Sequence, residues 1–145
     1  MNRVVSAAIV DPIHGRLLLA QRDPSTSYAW HWCTPGGKVE DGETDRDALA
    51  RELLEELGVE LIGDVSRLAY TRSVVSTRTG KAVEVVCYVV LAEQITQKPT
   101  PKDGTVGVGW FDAFSIVALE LTPADEAERA ALLGVLAQSH DGDAK

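Results

Sequence analysis

Three glutamates, Glu52, Glu55 and Glu56, lie within five residues of one another in the stretch "RELLEELGV". On a helix they fall within about 100° of arc, so they share one side. No lysine accompanies them, and the last two lie near the C-terminal end, where the helix dipole disfavours negative charge. A solvated polar face is the simplest explanation of such a cluster. A local rule broken in this way favours function instead, and convergent carboxylates suit a hard divalent cation.

The helix that must position these glutamates has clear end signals. Thr44 is a good N-cap with Asp47 as a weaker capping-box partner, and Gly58 is placed to end the helix, which gives about 13 residues. The apolar residues predicted to cover its opposite, buried side are Ala50, Leu53, Leu54 and Leu57.

The segment before the helix, "TPGGKVEDGE", contains Gly36, Gly37 and Gly42. Glycines let a backbone approach a ligand closely and adopt positive φ. A plain tight turn explains the same glycines, and both interpretations remain open.

The turn and the helix together match the pattern G-x5-E-x7-R-E-U-x-E-E-x-G-U, in which U is a bulky apolar residue. The matching residues are Gly37, Glu43, Arg51, Glu52, Leu53, Glu55, Glu56, Gly58 and Val59. The stretch therefore resembles the Nudix box, which covers 23 residues and agrees with the order of elements around it.

The resemblance implies hydrolysis of a nucleoside diphosphate linked to another group, with Mg²⁺ or Mn²⁺ as cofactor. Carried over by position, it makes Glu52, Glu55 and Glu56 metal ligands, with help from the Gly37 carbonyl. It also makes Arg51 and Glu43 a supporting ion pair that holds the loop against the helix. For Arg51 alone, an ordinary surface charge is the alternative.

The general base is one of the helix glutamates or an acid from another loop. Asp103, in "PKDGTVGVGW", lies where MutT-like members of the family place a glutamate before the last strand. The aspartate, and one extra residue before Trp110, depart from that pattern. Asp103 is thus either a ligand or base, or a plain turn residue.

Other stretches resemble the MutT-type nucleoside triphosphate diphosphatases. "LLLAQR" ends a strand on Arg22, and Trp32 and Lys38 belong to a Trp-x-x-Pro-Gly-Gly-Lys entry to the box. The resemblance implies that all three bind substrate, and a cationic fork such as that of Arg22 suits phosphate or base. A surface arginine is the alternative for Arg22. Tyr28, Trp30 and Trp32 either stack on a base or pack in the core.

"LTPADEAE" is similar to the Pro-Ala-Asn or Pro-Ala-Asp start of the C-terminal helix in this subgroup, where the third residue reads the base edge. Here that residue is Asp125. An ionised carboxylate only accepts hydrogen bonds, so it favours cytosine N4–H₂ or the N1–H/N2–H₂ pair of guanine. Relatives acting on cytidine nucleotides have Asp, whereas MutT has Asn. Complementing the helix dipole is the alternative role.

These features predict a Mg²⁺-dependent enzyme that converts a nucleoside triphosphate to a nucleoside monophosphate and pyrophosphate, in nucleotide-pool sanitation. The substrate is an oxidised or modified dNTP such as 8-oxo-dGTP, or a cytidine nucleotide. One alternative is hydrolysis of ADP-ribose, a nucleotide sugar or a dinucleotide, although "SVVS" (73–76) lacks the Pro and Tyr of two such branches. Another is a non-catalytic nucleotide-sensing module, a class that usually loses box glutamates.

The whole chain has 145 residues, 45% hydrophobic and 25% charged, the size of one domain. Strands are predicted at 4–10, 16–22, 65–79, 82–92 and 105–111, and a second helix at 122–138. The predicted fold is α/β: a Nudix α/β/α sandwich with a mixed β-sheet between helices. The domain is expected to span 1–138, with a disordered tail at 139–145.

The charge balance of 14 basic and 22 acidic residues argues against a nucleic-acid polymer or an anionic membrane as partner. No apolar run approaches the roughly 20 residues that span a bilayer. The two cysteines, Cys33 and Cys87, form no C-x-x-C pair, which favours a reduced, cytoplasmic protein. The expected partner is a small nucleotide, and the chain is expected to be a monomer or homodimer.

Overall fold

The computed structural model describes residues 2–143. Its strands are β1 (Asn2–Asp11), β2 (Arg16–Arg22), β3 (Trp32–Cys33), β4 (Gly36–Lys38), β5 (Leu68–Val75), β6 (Ala82–Leu91) and β7 (Thr105–Asp112). Its helices are α1 (Asp45–Leu57), α2 (Ala113–Ala118), α3 (Pro123–Ala127) and α4 (Arg129–Asp143), with a short 3₁₀ turn at Ala92–Gln94.

All seven strands belong to one mixed sheet with the order β3-β2-β1-β6-β5, to which β4 adds beside β1 and β7 beside β2. The central pair β1 and β6 is parallel from Asn2↔Val83 to Val10↔Leu91, and the other pairings are antiparallel. Strand β1 pairs with β4 in its first half and with β2 in its last residues, so the box enters the fold beside the middle of the sheet.

Strand β1 contributes to a hydrophobic core on each face of the sheet because its side chains alternate. Val5, Ala7 and Ile9 join the core beneath α1, and Ala8 and Val10 join the core beneath α2 and α4. The sheet is therefore covered by helices on both faces, which confirms the predicted α/β/α sandwich.

Helix α1 has the predicted bounds. The Thr44 hydroxyl accepts a hydrogen bond from the Asp47 N–H at 3.1 Å, and Gly58 ends the helix in the left-handed region with φ of 67°. One part of the prediction is wrong: Leu54 is 54% exposed. The buried face consists of Ala48, Leu49, Leu53 and Leu57, because the sheet meets the helix along the i, i+4 row that starts at Leu49.

The second half of the chain contains more and shorter helices than predicted. Helix α2 was not predicted, although Asp112 caps it by accepting the Ser115 N–H at 2.8 Å. The single helix expected at 122–138 is two helices, α3 and α4, separated at Glu128. Helix α4 runs to Asp143, past the predicted domain end, and residues 144–145 of the predicted tail lie outside the described residues. No helix within residues 2–143 is long and apolar enough to cross a membrane.

Candidate active site

An open cavity of about 840 Å³ lies between the start of α3, the sheet and the β5–β6 hairpin. This volume falls within the range of small-molecule sites. Glu56, Gly36, Gly37 and Arg22 line one end of the cavity, and Ser6, Thr34, Tyr70 and Asp125 line another part of its wall. The cavity therefore joins the end of the Nudix box to residues from distant parts of the chain.

Arg51 holds the loop of the box against α1. Its guanidinium donates two hydrogen bonds to the Glu43 carboxylate, at 2.8 and 2.9 Å, and one to the Lys38 carbonyl at 2.9 Å. It also donates to Glu52 Oε1 at 2.8 Å and lies 3.6 Å from Glu55 Oε2. The hydrogen bonds from Arg51 lower the pKa of Glu43 to about 2, so this carboxyl stays ionised. The structure thus contains the Arg51–Glu43 ion pair that the resemblance implied.

Two box glutamates pack against the two glycines of β4. Glu56 Oε1 accepts the Gly36 N–H at 3.0 Å. A Cβ added to Gly37 would lie 2.4 Å from the Glu52 carboxylate, so glycine leaves room for that side chain in its present position. These glycines therefore allow a close approach of the box carboxylates, and their approach to a ligand stays a prediction.

The three glutamates supply the hard oxygen donors that a divalent cation requires. In the described part of the chain, no three acidic, histidine or cysteine side chains are gathered tightly enough to hold a metal ion without rearrangement. Glu52 bonds Arg51, Glu56 bonds the backbone, and Glu55 is exposed at the surface of α1. The donor set fits a divalent cation, and Glu52 would have to exchange its contact with Arg51 to join it.

Replacing Arg51 with lysine is expected to lower kcat/KM by about 10- to 100-fold, the usual effect of losing a group that orients metal ligands. Lysine keeps the charge but cannot bond Glu43 through two nitrogens while also bonding Glu52. Steady-state kinetics on the purified variant tests this. Arg46→Lys is the matched control, because Arg46 lies on the same helix but bonds the Leu61 and Gly63 carbonyls. Equal activity of the two variants would contradict the role of Arg51.

Burial raises the pKa of Glu56 to about 8, with a further rise from the nearby Glu52 charge. Because the ordinary value is 4.5, the metal-free folded protein binds more protons than the unfolded chain between these values, and stability falls as pH rises. The Glu56→Gln protein, whose glutamine resembles the protonated carboxyl, should lose less stability as pH rises. In thermal melts with chelator present, the melting temperature of the variant should rise relative to that of the wild type between pH 5 and pH 8. A constant difference would contradict the raised pKa.

The structure places some of the residues predicted to bind substrate at the cavity and others away from it. Arg22 lines the cavity near Glu56, and its Nε donates to the Ser27 carbonyl at 2.6 Å. Lys38 is exposed and offers only its carbonyl to Arg51. Trp32 does not line the cavity: its ring meets Phe111 edge-on at 4.8 Å, so the structure favours the core-packing alternative.

Asp103 lies in the exposed turn that precedes β7, outside the cavity lining. This turn follows a loop that is attached to the end of α1, where the Lys102 N–H donates to the Glu56 carbonyl at 2.8 Å. Asp103 is thus near the box glutamates in the fold. Its role as base or ligand stays a prediction.

Asp125 is only 3% exposed and is bonded from three protein donors. The Thr34 N–H donates to it at 2.7 Å, the Thr34 hydroxyl at 2.9 Å and the Tyr70 hydroxyl at 2.7 Å. Burial raises its pKa, against these hydrogen bonds. Asp125 therefore does more than complement the dipole of α3, because it ties that helix to Thr34, three residues before Gly37.

Several cavity residues were not identified from the sequence. They are Ser6, Thr34, Tyr70, Arg72 and Arg78, the last three on β5 or the turn that follows it. The hairpin itself was predicted, but its place beside the box depends on the pairing of β6 with β1, which is a long-range contact. The position of Thr34 directly before Pro-Gly-Gly was the one local signal available.

Both cysteines are free thiols in the same region, with Cys33 in the cavity lining and Cys87 on the central strand β6. Burial raises the pKa of each to about 12, so neither is a thiolate nucleophile at neutral pH.

Comparison with known proteins agrees with this geometry. The NUDIX domain model matches residues 1–133, so the chain belongs to the NUDIX domain family. The chain is 52% identical over 56 residues to the CTP pyrophosphohydrolase of Escherichia coli K12, covering 39% of this chain and 41% of that protein. It is 39% identical over 57 residues to the 8-oxo-dGTP diphosphatase of Proteus vulgaris, covering 39% and 51%.

The similarity to solved structures extends over the whole domain. The crystal structure of a MutT NUDIX hydrolase from Burkholderia pseudomallei superposes with a TM-score of 0.74 at 29% identity, covering 90% of this chain and 95% of that one. The two sequence matches, in contrast, span about half or less of each relative. The fold is therefore that of MutT-like members of the family.

Proposed function

We propose that this protein is a Mg²⁺-dependent nucleoside triphosphate pyrophosphohydrolase that releases a nucleoside monophosphate and pyrophosphate. Its substrate would be an oxidised or modified dNTP such as 8-oxo-dGTP, or a cytidine nucleotide. One observation carries the proposal: Glu56 and Gly37 of the box, with the adjacent Gly36, open into the same cavity as Arg22 and Asp125. That cavity has room for a nucleotide, with the Arg22 guanidinium and the Glu56 carboxylate at one end and hydrogen-bonding groups elsewhere in its wall.

The similar proteins support the substrate class. One is named a CTP pyrophosphohydrolase and the other an 8-oxo-dGTP diphosphatase, and both act on nucleoside triphosphates by name. The aspartate at position 125 favours a base that donates hydrogen bonds. A role in sanitising the nucleotide pool of the cytoplasm, with a small nucleotide as partner and the chain a monomer or homodimer, is part of the proposal.

The residues of the box would bind the metal and the phosphates. Glu52, Glu55 and Glu56 would hold Mg²⁺, or Mn²⁺ in its place, with help from the Gly37 carbonyl. When bound, such a cation polarises phosphoryl oxygens and lowers the pKa of a coordinated water. Arg22, at the same end of the cavity, would bind a phosphate through its planar fork. A glutamate of α1 or Asp103 would take the proton of the attacking water.

The test is a comparison of kcat/KM with Mg²⁺ for the common NTPs and dNTPs, 8-oxo-dGTP, ADP-ribose and a nucleotide sugar. The proposal expects one triphosphate to lead by at least tenfold, about 1.4 kcal/mol of transition-state discrimination. Cleavage of ADP-ribose or the nucleotide sugar, with no triphosphate hydrolysed, would overturn the substrate class. Binding of nucleotides without any turnover would instead indicate a sensing module.

A further inference from the structure

Ser6 lies at the middle of the central strand β1 and is the one polar residue in the run "VVSAAIV" (4–10). It is 5% exposed, and among the described residues its hydroxyl oxygen has no hydrogen-bond partner beyond the weakly bonding thiol of Cys87. Leaving a buried hydroxyl unpaired costs stability, and buried polar groups in proteins are almost always bonded. An apolar residue would therefore fit the core better, so the serine needs another explanation.

The strands beside Ser6 do not supply a good partner. Gly36 is opposite Ser6 on β4 and has no side chain, and Cys87 is opposite it on β6 and offers only a weakly bonding thiol. Ser6 does line the cavity, on the same face of β1 as Ala8 and Val10. A molecule bound in the cavity is therefore the candidate for a better partner of this hydroxyl.

Asp125 lines the same cavity and has little hydrogen-bonding capacity left. A carboxylate offers about four lone-pair sites. The Thr34 N–H, the Thr34 hydroxyl and the Tyr70 hydroxyl use three of them, and the Thr122 side chain also faces this carboxylate, so at most one remains. Asp125 can therefore accept one bond from a base, but it cannot accept the two of a guanine N1–H/N2–H₂ pair while its protein bonds persist.

We propose that Ser6 is a specificity-determining residue, whose hydroxyl makes the second hydrogen bond to the edge of a bound nucleobase, beside the one that Asp125 accepts. A hydroxyl both donates and accepts, so it complements a carboxylate that only accepts. The inference rests on the proposed function in one respect, that the cavity takes a nucleotide.

The test measures equilibrium dissociation constants of CMP, UMP, dGMP and 8-oxo-dGMP for the wild type and for Ser6→Ala. Monophosphates are used because their binding can be read whether or not the protein hydrolyses triphosphates. Ser73→Ala is the matched control: it makes the same change on β5, at an exposed position outside the cavity lining.

The Ser6→Ala protein should bind the preferred monophosphate about tenfold more weakly, the effect of one hydrogen bond, and the least preferred one within twofold of the wild type. The ratio between the strongest and the weakest of the four affinities should therefore decrease. The melting temperature should change little, because the protein loses at most the weak contact between the Ser6 hydroxyl and the Cys87 thiol. Ser73→Ala should change neither quantity.

Equal weakening of all four monophosphates, or no weakening, would overturn the role of Ser6. It would also be overturned if the wild type bound none of the four, or all four equally. If this ratio decreases as expected but no triphosphate is hydrolysed, the Ser6 inference stands and the proposed function fails.

Discussion

Glu56→Gln is expected to lower kcat/KM by about 10³-fold while the fold is retained. Glu56 is the box glutamate that lines the cavity, and it is anchored by the Gly36 N–H. A metal at such a site supplies several kcal/mol of transition-state stabilisation, and each 1.36 kcal/mol is a factor of ten in rate. Glutamine keeps an oxygen for the Gly36 N–H but loses the charge that a cation needs.

The loss should not come from unfolding, because glutamine resembles the protonated carboxyl that burial of Glu56 favours. Steady-state kinetics with saturating Mg²⁺, together with a thermal melt of each protein, separates the two causes. Glu60→Gln is the control: it makes the same change at an exposed position just past α1. A Glu56→Gln protein with more than a tenth of wild-type kcat/KM would show that Glu56 is not part of the catalytic machinery.

Gly36→Ala is expected to destabilise the fold by about 3 kcal/mol, which corresponds to a drop of about 10 °C in melting temperature for a domain of this size. The added Cβ would lie 2.0 Å from the Val5 carbonyl oxygen and 2.6 Å from the Ser6 Cα. Both are backbone atoms of the central strand, so no side-chain rotation relieves the clash. The β1–β4 pairing that positions the box would have to separate.

Two other glycines serve as controls for this prediction. Gly134 lies within α4 with nothing near its would-be Cβ, so Gly134→Ala should raise the melting temperature through better helix propensity. Gly37→Ala meets the Glu52 carboxylate, a flexible group, so it should fold but lose activity. If Gly36→Ala melts within 2 °C of the wild type by calorimetry, the close packing of β4 on β1 is not as described.

The parts of the fold predicted well are those with local signals. Helix α1 has its predicted bounds because Thr44 and Gly58 determine its ends through contacts within a few residues. Strand β2 also runs over the predicted residues 16–22. The box motif predicted which residues meet around Arg51. Its spacing alone places Glu43 in the loop before α1, and Arg51 and Glu52 on the helix itself.

The parts predicted poorly depend on tertiary contacts. Leu54 is exposed, because the angle at which α1 meets the sheet decides which apolar residues are buried. Trp32 packs on Phe111 because β3 and β7 both pair with β2, which joins distant segments. The hydrogen bonds that Asp125 receives from Thr34 and Tyr70 join three such segments, and no local pattern indicates them.

The most direct test of the account is product analysis after incubation of the protein with CTP and with 8-oxo-dGTP, with Mg²⁺ and with excess chelator. We expect the monophosphate and pyrophosphate in equal amounts from at least one of them, with Mg²⁺ only, and almost none from the Glu56→Gln protein. Orthophosphate and a diphosphate as products, or equal turnover in chelator, would contradict a metal-dependent pyrophosphohydrolase at this site.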